Sequence, residues 1–223
     1  MAEERWCDWS ECVECPLALY RRRSVCARGG AKRRVMLVGE APGENEENQG
    51  FAFVGASGKL LDHWLAVLDL TEKDVYITNV VKCRPPNNRD PTPFEIEACL
   101  PWLQEEIKAL DPVLIVPLGR FAKDVCSGPL RMSGHVTDKN YGVALKHPAW
   151  YLRQGGMGTV PTAELKFLRR KLDGDMEDVL ERHLLKKVLG NQRRHHHHVP
   201  FAEDILRAFR DLPQNVVILL ICQ

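Results

Sequence analysis

Four polar side chains follow apolar runs that are typical of buried strands in a parallel sheet. Glu40 and Glu46 come after the first of these runs, Asn79 ends the second, and His147 follows the fourth. Because the carboxyl ends of parallel strands meet at one edge of a sheet, we expect these side chains to share a crevice. Such crevices are where open α/β folds bind their ligands.

The residue types at this edge suit the cleavage of a bond between a base and a sugar. Asn79 offers a donor and an acceptor in one plane, which suits the recognition of a base edge by paired hydrogen bonds. Phe53, in a loop flanked by glycines, suits stacking on a base taken out of a duplex. His147 can donate to an oxygen that gains negative charge, and a carboxylate can stabilise an oxocarbenium-like sugar or orient water. Each residue alone has an ordinary structural explanation, and their joint placement favours a functional site.

Four of the eight cysteines have the spacing of metal ligands. Cys12 and Cys15 form a Cys-x-x-Cys pair followed by proline, and Cys83 and Cys99 flank a proline-rich loop and the start of a helix. Four thiolates from these two segments fit a [4Fe–4S] cluster or an all-cysteine zinc site, and the spacing does not choose between iron and zinc. The alternative is four ordinary buried cysteines, since cysteine is among the most buried residue types.

The alternation of apolar runs and amphipathic segments predicts an α/β fold, whose elements would position these residues. Apolar runs at 35–38, 74–79, 113–116 and 143–145 indicate a central, mostly parallel four-stranded sheet. Amphipathic segments between the runs indicate flanking helices, and one of them starts at Thr92 with proline next and glutamate two residues later. We therefore expect a three-layer sandwich with helices on both faces of the sheet.

The same patterns divide the chain into two parts. Residues 1–175 are expected to form the α/β domain with its N-terminal cysteine segment, and residues 176–223 a helical extension of unknown role. The extension contains the tract His195 to His198, which is compatible with a metal-attracting segment, a tag remnant or a linker. Within the first part, the acidic run at 44–47 is expected to be a solvated loop.

Composition excludes some classes of protein. The chain has 223 residues with 31 basic and 30 acidic side chains, so bulk charge does not indicate a nucleic-acid partner. The start lacks the apolar core of a signal peptide, and the longest apolar run is too short to cross a bilayer. A cytoplasmic protein without membrane association, acting as a monomer, is expected. Disulfides are disfavoured in that compartment, and Cys7 and Cys26 lie near enough to the Cys-x-x-Cys pair to compete as ligands.

The motifs resemble those of the iron–sulfur uracil-DNA glycosylases known as family 4. The stretches that carry the resemblance are Gly39-Glu40-Ala41-Pro42-Gly43, Phe53-Val54-Gly55, the run from Val75 to Pro86 with Asn88-Arg89, and His147-Pro148-Ala149 with Leu152-Arg153. The resemblance extends from about Cys12 to Arg153. It implies excision of uracil from single- or double-stranded DNA by cleavage of the N-glycosidic bond.

The resemblance also implies a role for each matching residue. It makes Cys12, Cys15, Cys83 and Cys99 ligands of a [4Fe–4S] cluster, Asn79 the residue that recognises uracil, Phe53 the stacking aromatic and His147 the donor to a uracil carbonyl oxygen. Ala41 stands where a better-known branch of the superfamily has its catalytic aspartate, so the carboxylate must come from elsewhere. We favour Glu40, then Glu46, with Glu47 third. Leu152 and Arg153 are expected to face the DNA, with Leu152 filling the space that the flipped base leaves.

Two departures from the family pattern affect the DNA loop. Phe51-Ala52 stands where many relatives have arginine and proline, and Gly43 replaces the tyrosine that excludes thymine in the better-known branch.

A non-catalytic iron–sulfur DNA-binding protein is one alternative function. A protein that crosslinks to uracil-DNA is another, but it would need a basic loop with a nucleophilic histidine, and the loop at 84–91 is compact and contains none.

Overall fold

A computed structural model describes residues 9–154 and 160–174 of the chain. Its helices are α1 (Leu17–Tyr20), α2 (Glu44–Gln49), α3 (Ala56–Val67), α4 (Pro93–Leu110), α5 (Arg120–Ser127), α6 (Pro129–Met132), α7 (Pro148–Arg153) and a further helix over 162–174, and its strands are β1 (Val35–Gly39), β2 (Val75–Asn79) and β3 (Leu114–Pro117). Short 3-10 turns lie at Glu72–Asp74 and Pro86–Asn88. No helix in the described ranges has the length and apolar content needed to cross a membrane.

The three strands form a parallel sheet in the order β2-β1-β3, flanked by helices as expected. All residues of the three strands are buried, which explains why they are continuous apolar runs rather than alternating patterns. In the register of β1 and β2, Gly39 pairs with Asn79, so both strands end at the same level. The sheet therefore brings the ends of its strands to one edge, as the sequence predicts.

The prediction of a fourth strand is wrong for the described residues. The segment after α6 makes only two isolated bridges to the β3 side of the sheet, Tyr141 to Ile115 and Leu145 to Leu118. Between these bridges the β3 side advances three residues and the outer segment advances four. The extra residue breaks the register, and Pro117 lacks the N–H that a regular ladder would use there.

The core lies on the face of the sheet that α4 and α5 cover. Alternate strand residues belong to one buried cluster with side chains of both helices: Met36, Val38, Tyr76, Ile115, Leu103, Ile107, Ala122 and Val125. Helix α4 begins as its sequence predicts, with the Thr92 hydroxyl accepting from the Glu95 N–H at 3.2 Å. Elsewhere, α3 packs against α7, where the rings of Trp64 and Tyr151 meet edge to face at 5.2 Å.

The acidic run after β1 is a helix and not the expected solvated loop. Helix α2 begins after Gly43, whose N–H donates to the Glu46 carboxylate at 3.2 Å. Three glutamates in its first turn also interact favourably with the positive end of the helix dipole.

One compact unit extends to Lys171, and a second starts at Leu172. The predicted boundary at 175, the tract His195 to His198 and the predicted helical extension over 176–223 lie outside the described residues.

Candidate active site

Gly39 allows two of the predicted site residues to lie against bare main chain. A Cβ at Gly39 would lie 2.3 Å from Asn79 Oδ1 and 2.5 Å from Phe53 Cε2, which is closer than any side chain tolerates. Phe53 itself has a φ of 55°, in the left-handed region. Its carbonyl oxygen would lie 1.6 Å from a Cβ at Gly58 in the first turn of α3. The two glycines thus let the loop bring an aromatic ring beside Asn79.

The Asn79 side chain is buried with an acceptor that no described group satisfies. The residue is 3% exposed, and its Oδ1 has no hydrogen-bond partner among the described residues. Leaving a buried acceptor unpaired costs about 1–3 kcal/mol, so such an atom needs an explanation. A ligand that brings its own N–H donor provides one.

His147 presents the other side of the same space. Its ring centroid lies 5.5 Å from that of Phe53, and its Cβ would lie 3.1 Å from a Cβ at Gly119, just after β3. Burial, with a smaller contribution from Arg153, lowers the pKa of His147 to about 4. The imidazole is therefore neutral near pH 7. Because Nδ1 accepts from the Ala149 N–H at 3.2 Å, the ring proton resides on Nε2, which is a donor.

Glu40 is a partly buried carboxylate with a fixed main chain. Its carbonyl oxygen accepts from the Val81 N–H at 3.0 Å, which continues the pairing of β1 with the segment after β2. Burial and the nearby Asp90 carboxylate raise the pKa of Glu40, while Arg120 and Arg153 act in the opposite direction. Arg153 lowers the pKa of both Glu40 and His147, so the carboxylate and the imidazole share one electrostatic environment.

Glu46, the second predicted carboxylate, is occupied by main-chain donors. Its Oε1 accepts from the Gly55 N–H at 2.7 Å, and its Oε2 accepts from the Gly43 N–H at 3.2 Å. Glu47 is 5% exposed, accepts from the Arg22 N–H at 3.0 Å and pairs with Arg84 at 3.5 Å. These two glutamates connect loops, and Glu40 is left as the carboxylate without a described hydrogen-bond partner for its side chain.

The remaining predicted substrate contacts lie on short elements around this space. Ala41 directly follows Glu40 and is partly buried. Leu152, partly buried, and Arg153, exposed, lie in the last turn of α7, a helix that begins directly after His147. The roles of these three residues stay predictions.

The four predicted ligand cysteines are free thiols drawn together in the fold. Cys15, Cys83 and Cys99 belong to one core cluster. Cys83 interacts electrostatically with both Cys12 and Cys15. Arg21 donates to the Cys83 sulfur at 3.3 Å. Burial raises the pKa of Cys99 to about 11, so a thiolate there needs a compensating positive charge such as a metal.

The arrangement of donors bears on which metal group fits. Among the described residues, no three His, Cys, Asp or Glu side chains are arranged to hold a single metal ion. A single zinc, with Zn–S bonds of about 2.3 Å, needs its sulfurs within roughly 3.8 Å of one another. A four-iron cluster holds its four cysteines further apart, because they bind different irons. Four cysteine sulfurs are a donor set that fits a [4Fe–4S] cluster or an all-cysteine zinc site.

Two other cysteines had been expected to compete for this role. Cys26 is disulfide-bonded, so the expectation of free thiols is wrong for it, and it does not join the four. Cys7 lies outside the described residues.

Sequence analysis missed a buried charged pair directly behind the site. The sequence motifs assign no role to Lys82 or Glu106, but each side chain is only 2% exposed, with Nζ and Oε2 separated by 2.5 Å. The available signal was that Lys82 follows the apolar pair Val80-Val81 and precedes a predicted ligand cysteine.

Most of the described part of the chain matches a known protein family. Residues 27–172 match the family model of the uracil DNA glycosylase superfamily, a match that begins after the Cys-x-x-Cys pair. A type-4 uracil-DNA glycosylase of Archaeoglobus fulgidus is 51% identical over 111 residues, which are 50% of this chain and 56% of that protein. One from Thermotoga maritima is 37% identical over 172 residues, 76% of this chain and 84% of that protein. A type-5 uracil-DNA glycosylase of Thermus thermophilus is 34% identical over 154 residues, 61% and 66% of the two chains.

The aligned lengths differ among these relatives. The chain spans about half the length of four archaeal type-4 relatives, between 50% and 56% of each. The resemblance predicted from the motifs is confirmed.

Proposed function

Because the chain belongs to the uracil DNA glycosylase superfamily, we propose that it excises uracil from DNA. The reaction hydrolyses the N-glycosidic bond between the base and the deoxyribose and leaves an abasic site. The observation that carries the proposal is the buried, unpartnered Asn79 Oδ1, which lies against Gly39 beside the ring of Phe53.

Recognition of the base uses the planar amide of Asn79. Uracil presents an imide N–H next to a carbonyl oxygen, so Oδ1 accepts from the N–H while the amide NH₂ donates to the carbonyl. Cytosine presents an acceptor and an amine at the corresponding positions, and the pairing fails. The ring of Phe53 stacks on the flipped base, at the price of unstacking that base from the duplex.

Cleavage places negative charge on the base and positive charge on the sugar. The bond between the sugar C1′ and the base nitrogen breaks, and its electron pair stays with uracil. Neutral His147 donates from Nε2 to the carbonyl oxygen where this charge accumulates. The Glu40 carboxylate stabilises the oxocarbenium-like sugar and accepts the proton of the water whose oxygen bonds to C1′, and the departing uracil anion takes up a proton, which balances the hydrolysis.

The four cysteines Cys12, Cys15, Cys83 and Cys99 would hold a [4Fe–4S] cluster, with zinc as the alternative. Bound there, the group would connect the N-terminal segment to the segment between β2 and α4, and we assign it no step in the cleavage. Arg21, which donates to Cys83, would lie beside it.

The substrate is uracil-containing DNA, single- or double-stranded. Arg153 and Arg120, which lie within electrostatic reach of Glu40, supply positive charge for the phosphates, and Leu152 is proposed to fill the vacated stack. Because Asn79, Phe53 and His147 all come from one chain, a monomer suffices. A cytoplasmic location is part of the proposal, since the substrate is cellular DNA.

Incubation with single- and double-stranded oligonucleotides that carry one uracil tests the proposal. Alkali-labile abasic sites and free uracil are expected from the uracil strands and not from thymine controls. Asn79→Asp is expected to slow uracil excision by about 10-fold or more, because a paired contact contributes ~1–3 kcal/mol of discrimination. Binding without any release of uracil would favour the non-catalytic alternative, and a covalent adduct on a denaturing gel would favour the crosslinking one.

A further inference from the structure

A fully buried ion pair lies directly beneath the end of β2. The side chains of Lys82 and Glu106 are each 2% exposed. The ring of Trp9, itself 4% exposed, covers Lys82 with the Nζ 4.8 Å from the ring centroid. The pair is thus sealed from solvent on the side of the N-terminal segment.

Every described polar atom around this pair is used. The Tyr76 hydroxyl donates to Glu106 Oε1 at 2.7 Å, and the Thr78 hydroxyl donates to the same oxygen at 2.9 Å. Lys82 Nζ donates to Glu106 Oε2 at 2.5 Å, to Thr78 Oγ1 at 2.7 Å and to the main-chain oxygen of Asn79 at 2.7 Å. We call Tyr76, Thr78, Lys82 and Glu106 the Lys82 network.

Stability alone does not account for such a network. Desolvation of two charges offsets most of their attraction, and hydrophobic side chains of similar volume are often as stabilising. What the network adds is a fixed position for the atoms that it contacts, and one of these is the main chain of Asn79.

The main chain of Lys82 contacts the predicted cluster ligands. Its N–H lowers the pKa of the Cys99 thiol, against the effect of burial, and the next residue is Cys83. The carbonyl oxygen of Lys82 accepts from the Val25 N–H at 2.8 Å. One residue therefore lies beside the cysteine site with its main chain and bonds the base-recognition residue through its side chain.

We propose that Lys82, held by Glu106 and Thr78, is a positioning residue that fixes Asn79 for uracil recognition. The inference rests on the proposed function, since it takes Asn79 as the uracil-recognition residue. Lys82 Nζ donates to the main-chain carbonyl of Asn79. The side chain of Asn79 extends toward the space beside Phe53. An Asn79 whose main chain is loose would still admit DNA but would hold the base less often in the reactive position.

The test is the double variant Lys82→Met/Glu106→Gln, which removes the donor to Asn79 without leaving a charge unpaired. The amide that replaces the Glu106 carboxylate retains an oxygen that accepts from Tyr76 and Thr78, so we expect a melting temperature and an iron content close to those of the unaltered protein. We expect the single-turnover rate of uracil excision to fall by about 10-fold or more, because loss of positioning acts on the reacting complex. The Kd for a duplex with a non-cleavable 2′-fluoro-deoxyuridine should change less than about threefold.

One control variant makes the result decisive. Lys59→Met, an exposed lysine on α3, is the control for loss of a positive charge and should excise at the normal rate. A double variant that folds, binds iron and excises within twofold of the unaltered protein overturns the inference.

If the double variant gives no soluble protein, the variant Thr78→Val tests the inference instead. It removes the hydroxyl that holds Lys82 Nζ at little cost in volume, and a rate within twofold of normal then overturns the inference. An unaltered protein that excises no uracil would refute the proposed function itself, which separates the two failures.

Discussion

The two candidate carboxylates differ in what already occupies them. Both Glu46 oxygens accept main-chain N–H groups, whereas the side chain of Glu40 has no described hydrogen bond and lies among Asp90, Arg120 and Arg153. A carboxylate that is bonded to its own loop is poorly placed to act on a sugar. The order proposed from the sequence, with Glu40 first, gains support from this difference.

We predict that Glu40→Gln lowers the single-turnover excision rate by ~10²-fold or more, because an amide neither stabilises a cationic sugar nor accepts a proton. His147→Ala should cost a comparable factor, and substrate binding should change little in either variant. Glu46→Gln should cost less and Glu47→Gln least, measured with enzyme in excess over substrate. A larger loss in Glu46→Gln than in Glu40→Gln would reverse the assignment.

The pH dependence should separate the carboxylate from the imidazole. Since burial raises the pKa of Glu40, this group gains its proton at a higher pH than an ordinary carboxyl as the solution is acidified. His147, with a pKa of about 4, stays neutral over the same range. We expect the excision rate to fall on acidification in a single titration step, which reflects protonation of Glu40 and is absent in Glu40→Gln. The assignment would be contradicted if this step persisted in Glu40→Gln, or if the rate showed a second step near the ordinary pKa of histidine.

At the scale of elements, α7 connects His147 to the two residues that are proposed to face the DNA. His147 is the residue before its first turn, and Leu152 and Arg153 lie in its last turn. A helix of this kind moves as one body, so a side chain that enters the DNA stack is held at a fixed distance from the histidine.

We predict that Leu152→Ala impairs excision from a uracil–adenine duplex by at least about fivefold more than from a single strand. Base extrusion costs a few kcal/mol in a duplex and less where no partner is present, so a residue that fills the stack matters only there. Trp150→Ala, an exposed position on the same helix, is the matched comparison. Equal losses on both substrates would assign Leu152 to packing of α7.

The elements also show where sequence reasoning succeeds and where it fails. Helix α4 was predictable because Thr92 and Glu95 carry its start in the local sequence, and the three strands because burial on both faces makes them continuous apolar runs. The missing fourth strand depends on one extra residue opposite β3, which alters the register without altering composition. Helix α2 has a local signal, since Glu46 caps Gly43 three residues before it, whereas the Lys82 network depends on Glu106, 24 residues from Lys82, and no local pattern identifies that partner.

For the whole molecule, the cysteine site connects regions that are distant in sequence. Cys12 and Cys15 precede the first strand, and Cys83 and Cys99 follow the second. A metal group that binds all four would close a long loop of the unfolded chain, so its binding contributes to folding.

We predict that protein purified without exposure to air is yellow-brown and contains about four irons per chain. Cys83→Ala should lose the colour and much of the soluble yield. Cys126→Ala, at a buried free thiol outside the four, should keep its iron. Iron analysis and visible absorption measure both, and a colourless protein with one zinc would refute the cluster.

The N-terminal segment also shields the sheet from other chains. Arg28 exchanges two main-chain hydrogen bonds with Ile77 of β2, at 2.9 and 2.8 Å, while Tyr141 and Leu145 cover part of β3 on the other side. A bare strand edge is a template for pairing with a neighbouring molecule. Because the segment that covers β2 also contains Cys12 and Cys15, loss of the proposed metal group would loosen that cover. Oxidative loss of iron should then lead to self-association through β2, with light scattering rising before the helices melt.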